Sequence, residues 1–232
     1  MNTIIRIIRK TVRAGGFDMI HYAPWRNLFA HCGIDLILDV GANIGQTYDS
    51  FRWAGFEGPI YSFEPNPEMF QRLQRHPGHD WKKFPYALSS QSGQAVFNIV
   101  ENDNACGLQA PLTQFTVQKQ INVTTFRLDE LWKREGFSGK NVFLKIDAEG
   151  HDAEVIKGAS GVLDHIPLIM AEVAPLSRYK GEPELPVFVD FLKDLGYCLC
   201  RSDKNSFDAA TGIDTALDLV FIRRELAPKP AA

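Results

Sequence analysis

The stretch that decides the fold is Leu36-Ile-Leu-Asp-Val-Gly-Ala-Asn-Ile-Gly-Gln46. The short apolar run Asp35–Val40 predicts a buried strand. Gly41 and Gly45 allow the backbone to turn sharply against a ligand, and Gln46–Trp53 then predicts a helix. A strand, a glycine-rich turn and a helix in this order are typical of the first unit of a parallel α/β sheet.

The same alternation continues along the chain. Strand patterns at Ile60–Glu64 and Lys82–Leu88 flank a helix at Pro67–Arg75, which gives βαβαβ with right-handed crossovers. Near the C-terminus, Tyr197–Arg201 and Leu217–Arg223 are joined by a polar connection with no helical pattern, so they predict an antiparallel hairpin. The other predicted elements are strands at Gln94–Val100, Gln120–Phe126, Asn141–Asp147 and Pro167–Val173 and helices at Asp152–Ala159 and Leu185–Leu195.

The length and composition of the chain predict a single globular domain. The chain has 232 residues, 45% of them apolar and 23% charged, which excludes disordered, collagenous and fibrous classes. The formal charge of −3 provides no basic field and argues against nucleic acid as a partner. We expect an N-terminal helix and lead-in over residues 1–30, the α/β domain over 31–224, and a disordered tail over 225–232.

The N-terminus has a pattern of its own. Ile4, Ile5, Ile8 and Val12 recur at helical spacing among four cations, so Met1–Arg13 predicts a short basic amphipathic helix. We expect it to pack on the flank of the domain or to fray; peripheral contact with an anionic membrane is the alternative.

The cysteines and the absence of a long apolar stretch bear on location. The four cysteines show no paired spacing of a zinc site or a disulfide framework, which favours a reducing compartment; they are Cys32, Cys106, Cys198 and Cys200. No secretion signal or membrane span is apparent, so we expect a cytoplasmic protein.

The glycine turn indicates a nucleoside ligand without phosphate. Its pattern G-x-N-x-G matches neither the dinucleotide fingerprint nor the P-loop. Asp39 before the turn suits a positive amino or sulfonium group, and Glu64 ends the next strand, where a carboxylate can accept both ribose hydroxyls. A free ribose with a cationic tail describes S-adenosylmethionine. Read separately, Asp39 is a capping acid and Glu64 opens a turn.

A second cluster of ionisable groups follows a later strand. Lys145, Asp147, Glu149 and His151 fall within seven residues at the predicted carboxyl end of a parallel strand, where ligands bind in such sheets. The alternative is that these acids only begin a helix.

These blocks carry a family resemblance. Leu38–Gln46, Tyr61–Pro67, Val123–Asp129 and Leu144–Gly150 with Lys157–Ala159 resemble, in order, the FkbM family of S-adenosylmethionine-dependent methyltransferases. The resemblance implies a class I, Rossmann-like fold, a seven-stranded sheet with its last strand antiparallel, and O-methylation of a sugar, glycolipid or natural-product hydroxyl. Phe126-Arg127 interrupts the Val123–Asp129 block, so we assign no role there.

The resemblance also implies roles for individual residues. It implies that the glycine turn lines the methionine end of the cofactor and that Glu64 holds the ribose. It also implies that the end of the third strand lies beside the adenine and that Asp147 faces the reacting centre. By number, the implied cofactor-binding residues are Asp39, Gly41, Asn43, Gly45, Glu64, Ala87, Leu88 and Asp147.

Methyl transfer to oxygen also needs a base. Our candidates are Asp147, Glu149 and His151, with Lys145 neutralising one of the carboxylates or extending from the sheet. A divalent metal held by these three and Glu172 is conceivable, but no metal-binding spacing supports it and we expect none. We expect acceptor recognition from 102–111 and 175–186, with Arg178, Tyr179 and Trp53 available to contact a sugar.

Three functions remain open at this point. The first is an enzyme that methylates a small-molecule or glycan acceptor. The second is a cofactor-binding scaffold or regulatory protein without activity. The third is RNA methylation, which the acidic balance and the lack of interleaved aromatic and basic residues disfavour. The oligomeric state stays open.

Overall fold

A computed structural model describes residues 22–101, 105–112, 115–137 and 140–228. The predicted basic helix Met1–Arg13 and the last four residues of the predicted tail lie outside them. Among the helices of these ranges, none has the length and apolar character needed to cross a lipid bilayer.

A seven-stranded sheet forms the centre of the fold, with the strand order β3-β2-β1-β7-β8-β10-β9. The neighbours from β3 to β8 pair in parallel, and β10 pairs antiparallel with both β8 and β9. The predicted fold and its C-terminal hairpin are therefore confirmed. The strands of this sheet are β1 Leu36–Val40, β2 Ile60–Phe63, β3 Trp81–Phe84, β7 Val142–Ile146, β8 Leu168–Val173, β9 Tyr197–Phe207 and β10 Asp214–Arg223.

Helices cover both faces of the sheet, because its central strands are apolar on both sides. Ile37 of β1 faces a cluster that includes residues of α1 and α2, and Leu38 faces the opposite cluster with residues of α4, α5 and α6. The helices are α1 Tyr22–Cys32, α2 Gln46–Trp53, α3 Pro67–Arg75, α4 Leu128–Arg134, α5 Asp152–Gly158 and α6 Leu185–Asp194, with 3-10 turns at Leu163–His165 and Arg224–Leu226.

The predicted third strand, Lys82–Leu88, is divided in the structure. Its first part is β3, and its last two residues form β4, Ala87–Leu88, which pairs with β6, Val117–Phe126, in a separate sheet of order β4-β6-β5. β5 is Gly93–Val100. Pro85 lies at the break, and a proline has no amide hydrogen to continue a ladder, so the strand changes sheets there.

The C-terminal hairpin is longer than predicted. β9 reaches Phe207 and pairs with Asp214 of β10, so most of the expected polar connection is strand. The hydroxyls of Ser206 and Thr215 lie 2.7 Å apart across the pair. Polar cross-strand pairs of this kind stabilise an exposed ladder without the apolar alternation used to predict strands.

Helix α1 contacts both the core and the last described residues of the chain. Helix α1 crosses residue 30 and packs on the core, with the ring centroids of Trp25 and Phe29 at 5.4 and 5.2 Å from that of Phe143. At the other end, His31 Nε2 lies 2.7 Å from the carbonyl oxygen of Leu226. The expected domain bounds at residues 30 and 224 stay a prediction.

Candidate active site

A polar cleft of about 270 Å³ opens at the carboxyl ends of β1, β2 and β7. The glycine turn, Glu64 and Asp147 line it. A smaller cavity adjoins it and shares Glu64 and Asp147 with the cleft. We call this cavity, lined by Phe63, Ala87, Leu88, Phe97 and His151, the apolar half of the site.

The turn after β1 has a backbone that few side chains tolerate. Gly41, Asn43 and Gly45 all have left-handed φ angles, of 74°, 48° and 106°. A Cβ atom on Gly41 would lie 1.9 Å from the carbonyl oxygen of Asp147, so glycine is required where β1 and β7 end side by side. Because of this turn, the main chain itself lines the cleft.

Glu64 follows β2 and lines both the cleft and the apolar half, so it lies at their junction. Its carboxylate accepts hydrogen bonds of 2.8 Å from the backbone N–H groups of Asn43 and Asn66. The residue is 6% exposed, and burial outweighs these two bonds and raises the pKa of Glu64 to about 7. Its position at the junction suits recognition of a ribose.

A row of polar side chains crosses one face of the sheet towards the cleft. Trp81 Nε1 donates to Ser62 Oγ over 2.9 Å, and Ser62 Oγ donates to Asp39 Oδ2 over 3.0 Å. Lys145 Nζ lies 3.4 Å from both Asp39 Oδ1 and Asp147 Oδ2. Burial opposes the charge of Lys145, but Asp147 and Asp39 outweigh it and raise the pKa of Lys145.

Asp39 itself is fully buried in this row and does not line the cleft. The sequence predicts that Asp39 binds the cofactor; the structure places its carboxylate behind Lys145, and direct contact with the cofactor stays a prediction. Asp39 and Lys145 are directly opposite in the β1–β7 register, so the acid instead positions the lysine. Lys145 and Asp147 do line the cleft.

Three carboxylates converge beside this row. One oxygen atom from each of Asp147, Glu149 and Glu172 lies within 4.8 Å of the others. We call these three residues the acidic half of the site. His151, the fourth candidate metal ligand from the sequence, is not among them.

Two residues after β8 hold Glu149 in place. Tyr179 Oη donates to Glu149 Oε2 over 2.6 Å, and Arg178 Nη2 lies 3.7 Å from the same oxygen. Burial, with the charges of Asp147 and Glu172, raises the pKa of Glu149 to about 9. Tyr179 is only 1% exposed, so it is not available for the contact with a sugar that the sequence suggested.

Glu172 shares Arg178 with Glu149. Arg178 Nη2 lies 2.7 Å from Glu172 Oε1, and Asn205 Nδ2 donates to Glu172 Oε2 over 2.6 Å. Burial and the charge of Asp147 raise the pKa of Glu172 to about 7 despite the arginine. Sequence reasoning missed Asn205 because it lies in the part of β9 that was expected to be a connection.

His151 faces the apolar half. The amide nitrogen of Gln109 lies 3.1 Å from Nδ1, and Ser89 Oγ lies 3.0 Å from Nε2. Burial lowers the pKa of His151 to about 4, so the ring is neutral at physiological pH. Its nitrogens are both used in fixing Ser89 and Gln109, which favours a positioning role over that of a base.

The segment 102–111, which we expect to recognise the acceptor, is held by hydrogen bonds where the structure describes it. The side-chain amide of Asn98 donates to the carbonyl oxygens of Gly107 and Gln109 over 3.2 and 3.1 Å. The N–H of Lys180 donates to the carbonyl oxygen of Ala110 over 2.8 Å. Both segments expected to recognise the acceptor are thus joined at the edge of the site.

This chain is similar in sequence to two named methyltransferases. The hexuronic acid methyltransferase AglP of Haloferax volcanii is 31% identical over 146 residues, which are 60% of this chain and 56% of that protein. The 2-O-methyltransferase NoeI of Sinorhizobium fredii is 23% identical over 172 residues, or 68% and 70% of the two chains.

Among solved structures, the magnesium protoporphyrin IX methyltransferase of Synechocystis PCC 6803 aligns with a TM-score of 0.48 and 13% identity, over 96% of this chain and 85% of that one. The model of the methyltransferase FkbM domain matches residues 39–199, which include the glycine turn, Glu64 and the acidic half. The chain belongs to the FkbM methyltransferase domain family.

Proposed function

We propose that this protein is an S-adenosylmethionine-dependent O-methyltransferase that acts on a hydroxyl of a sugar-like acceptor. The observation that carries the proposal is the position of Glu64, a buried carboxylate between an apolar cavity and a polar cleft. Family membership and the names of the two relatives, one acting on a hexuronic acid and the other at a 2-O position, support the same reaction.

The residues present fit this cofactor in chemical character. The apolar half, with Leu88 and Phe97, suits an adenine ring, and Glu64 has lone pairs left to accept ribose hydroxyls. When bound, the cofactor supplies a methyl group on a positively charged sulfur.

The polar side of the cleft suits the methionine end. Gln46 and Thr47, which begin α2, line the cleft beside the glycine turn, and the first N–H groups of a helix favour a carboxylate. Asp147 lines the same space and can accept hydrogen bonds from an amino group. Asp39 contributes through Lys145, which it holds against Asp147.

We assign removal of the acceptor proton to Asp147. It is the most exposed carboxylate of the acidic half, with 32% of its side chain accessible, while Glu149 and Glu172 are each 11% accessible and held by Arg178. An aligned base of this kind contributes roughly 10²- to 10⁴-fold to the rate. Glu149, which its raised pKa of about 9 keeps protonated near neutral pH, and Glu172 then orient the acceptor hydroxyl.

Two measurements test this function on the full chain. Calorimetry with S-adenosylmethionine should show binding at one site, and incubation with a panel of free sugars and glycosides should give a product heavier by one methyl group. Absence of cofactor binding would refute the proposal. Binding without methyl transfer to any hydroxyl would favour the scaffold function instead.

A further inference from the structure

We propose that the acceptor unit beside the methylated hydroxyl carries no negative charge, and that the acidic half excludes carboxylated and phosphorylated acceptors. This inference rests on the proposed function and names its substrate class: a neutral, hydroxyl-rich unit. It comes from the balance of charges around the cleft and from where each cation is engaged.

The cleft is lined with acids. Among the described residues that line it, four are carboxylates, Glu64, Asp147, Glu149 and Glu172, and one is a cation, Lys145. Lys145 is 6% exposed and lies 3.4 Å from Asp39 as well as from Asp147. Its charge is therefore already matched within the protein.

The next cation outward is also engaged. Arg178 does not line the cleft, and its Nη2 atom lies 2.7 Å from Glu172 and 3.7 Å from Glu149. Only 12% of its side chain is accessible. An acceptor carboxylate would have to displace one of these glutamates to reach it, which would leave a buried charge unpaired.

The remaining polar groups of the lining suit hydroxyls. Carboxylate oxygens accept hydrogen bonds from hydroxyl groups, and the amide oxygen of Asn205 can accept one as well, since its amide nitrogen already donates to Glu172 and Asp218. Glu149, with its pKa raised to about 9, is largely protonated at about pH 8, so a second anion placed beside the cluster meets the charges of Asp147 and Glu172. Such repulsion is strong in a partly desolvated space. A neutral polyol meets no such cost.

The relative named for a hexuronic acid offers a contrast, since a hexuronic acid carries a carboxylate. On this inference the two proteins differ in the charge of the acceptor, although their sequences are similar. A direct comparison of matched sugars therefore decides the matter.

The experiment measures binding of three probes to the protein loaded with S-adenosylhomocysteine, so that no turnover occurs. The probes are methyl glucoside, its carboxylated counterpart methyl glucuronoside, and a phosphorylated glucose, titrated by ligand-observed NMR. The pKa of Glu172 is raised to about 7, so titration at about pH 8 keeps this residue largely ionised. The site variant is Glu172→Gln, and the matched control is Glu57→Gln, an exposed glutamate outside the site.

We expect methyl glucoside to bind at least about tenfold more tightly than either anionic probe. Glu172→Gln should reduce this preference by strengthening the binding of methyl glucuronoside, and Glu57→Gln should leave it unchanged. Equal or tighter binding of an anionic probe overturns the inference, as does failure of all three probes to bind. Either result leaves cofactor binding, and with it the proposed function, to be judged by calorimetry.

Discussion

The apolar and acidic halves of the site are built on opposite principles, although they meet at Glu64 and Asp147. In the apolar half, His151 is neutral and its ring nitrogens lie within 3.1 Å of Gln109 and Ser89. In the acidic half, burial and mutual repulsion raise the pKa values of Glu149 and Glu172 even with Arg178 beside them. Hydrogen bonds to a neutral ring therefore fix the geometry of the apolar half. In the acidic half, burial and repulsion between carboxylates raise the pKa values to about 7 and about 9, where these groups can exchange protons.

The largest effect should come from Asp147→Asn, which removes the proposed base and keeps the shape of the side chain. We expect turnover to fall roughly 10²- to 10⁴-fold, because the proton of the acceptor hydroxyl then has no positioned carboxylate to receive it. The measurements are the rate of methyl transfer and the affinity for S-adenosylmethionine by calorimetry.

Glu57→Gln serves as the control, since its side chain is exposed and lies outside the site. A variant Asp147→Asn that keeps wild-type turnover would move the base to Glu149 or Glu172. It would also contradict the role proposed for the acidic half, because its most accessible carboxylate would then take no part in the reaction.

The junction itself is tested by Glu64→Gln. Hydrogen bonds to a charged group contribute about 1.5–3 kcal/mol, so affinity for S-adenosylmethionine should fall roughly 10- to 100-fold. In the wild type, affinity should also weaken as the pH falls below about 7, because the carboxylate with a pKa of about 7 becomes protonated.

The glutamine variant should lose that pH dependence. Glu68→Gln on α3, an exposed residue nearby in sequence, is the matched control and should retain it. Unchanged affinity in Glu64→Gln would show that the ribose assignment is wrong.

A smaller effect is expected from His151→Ala in the apolar half. Loss of both ring contacts leaves Ser89 and Gln109 without partners and should lower the free energy of unfolding by about 1–3 kcal/mol. Turnover per folded molecule should fall by less than about tenfold, because a positioning residue does not take the proton. Denaturant titration and kinetics of the same preparation separate the two; a loss as large as that of Asp147→Asn would make His151 the base.

The smallest effect concerns the pH dependence of stability. Glu149 has a pKa of about 9 when folded against an ordinary value of 4.5, so the folded state binds the proton more tightly and loses this contribution as the pH rises towards 9. Between about pH 7 and 9 the free energy of unfolding should decline by about 1–2 kcal/mol.

Glu149→Gln should flatten that decline, and Glu57→Gln should not. His151 does not disturb the measurement, because the lowered pKa of about 4 confines its contribution to lower pH. An equally steep decline in Glu149→Gln would show that Glu149 is not its source.

Sequence patterns predicted the parallel sheet well because its central strands are short apolar runs. They failed at Lys82–Leu88, where Pro85 moves the chain into a second sheet, and in β9, where polar residues pair across the hairpin. Periodicity records which side of a strand is buried and does not record which strand it pairs with.

The same division applies to the site. The sequence by itself determined the glycine turn, Glu64 and the acids after β7, because their chemistry depends on local backbone and on the end of a strand. Only the tertiary structure decided that Asp39 is enclosed behind Lys145, that His151 faces the apolar half and leaves Glu172 with the other acids, and that Asn205 joins them. Those placements depend on strand order and burial, which bring together residues distant in sequence and which no local pattern encodes.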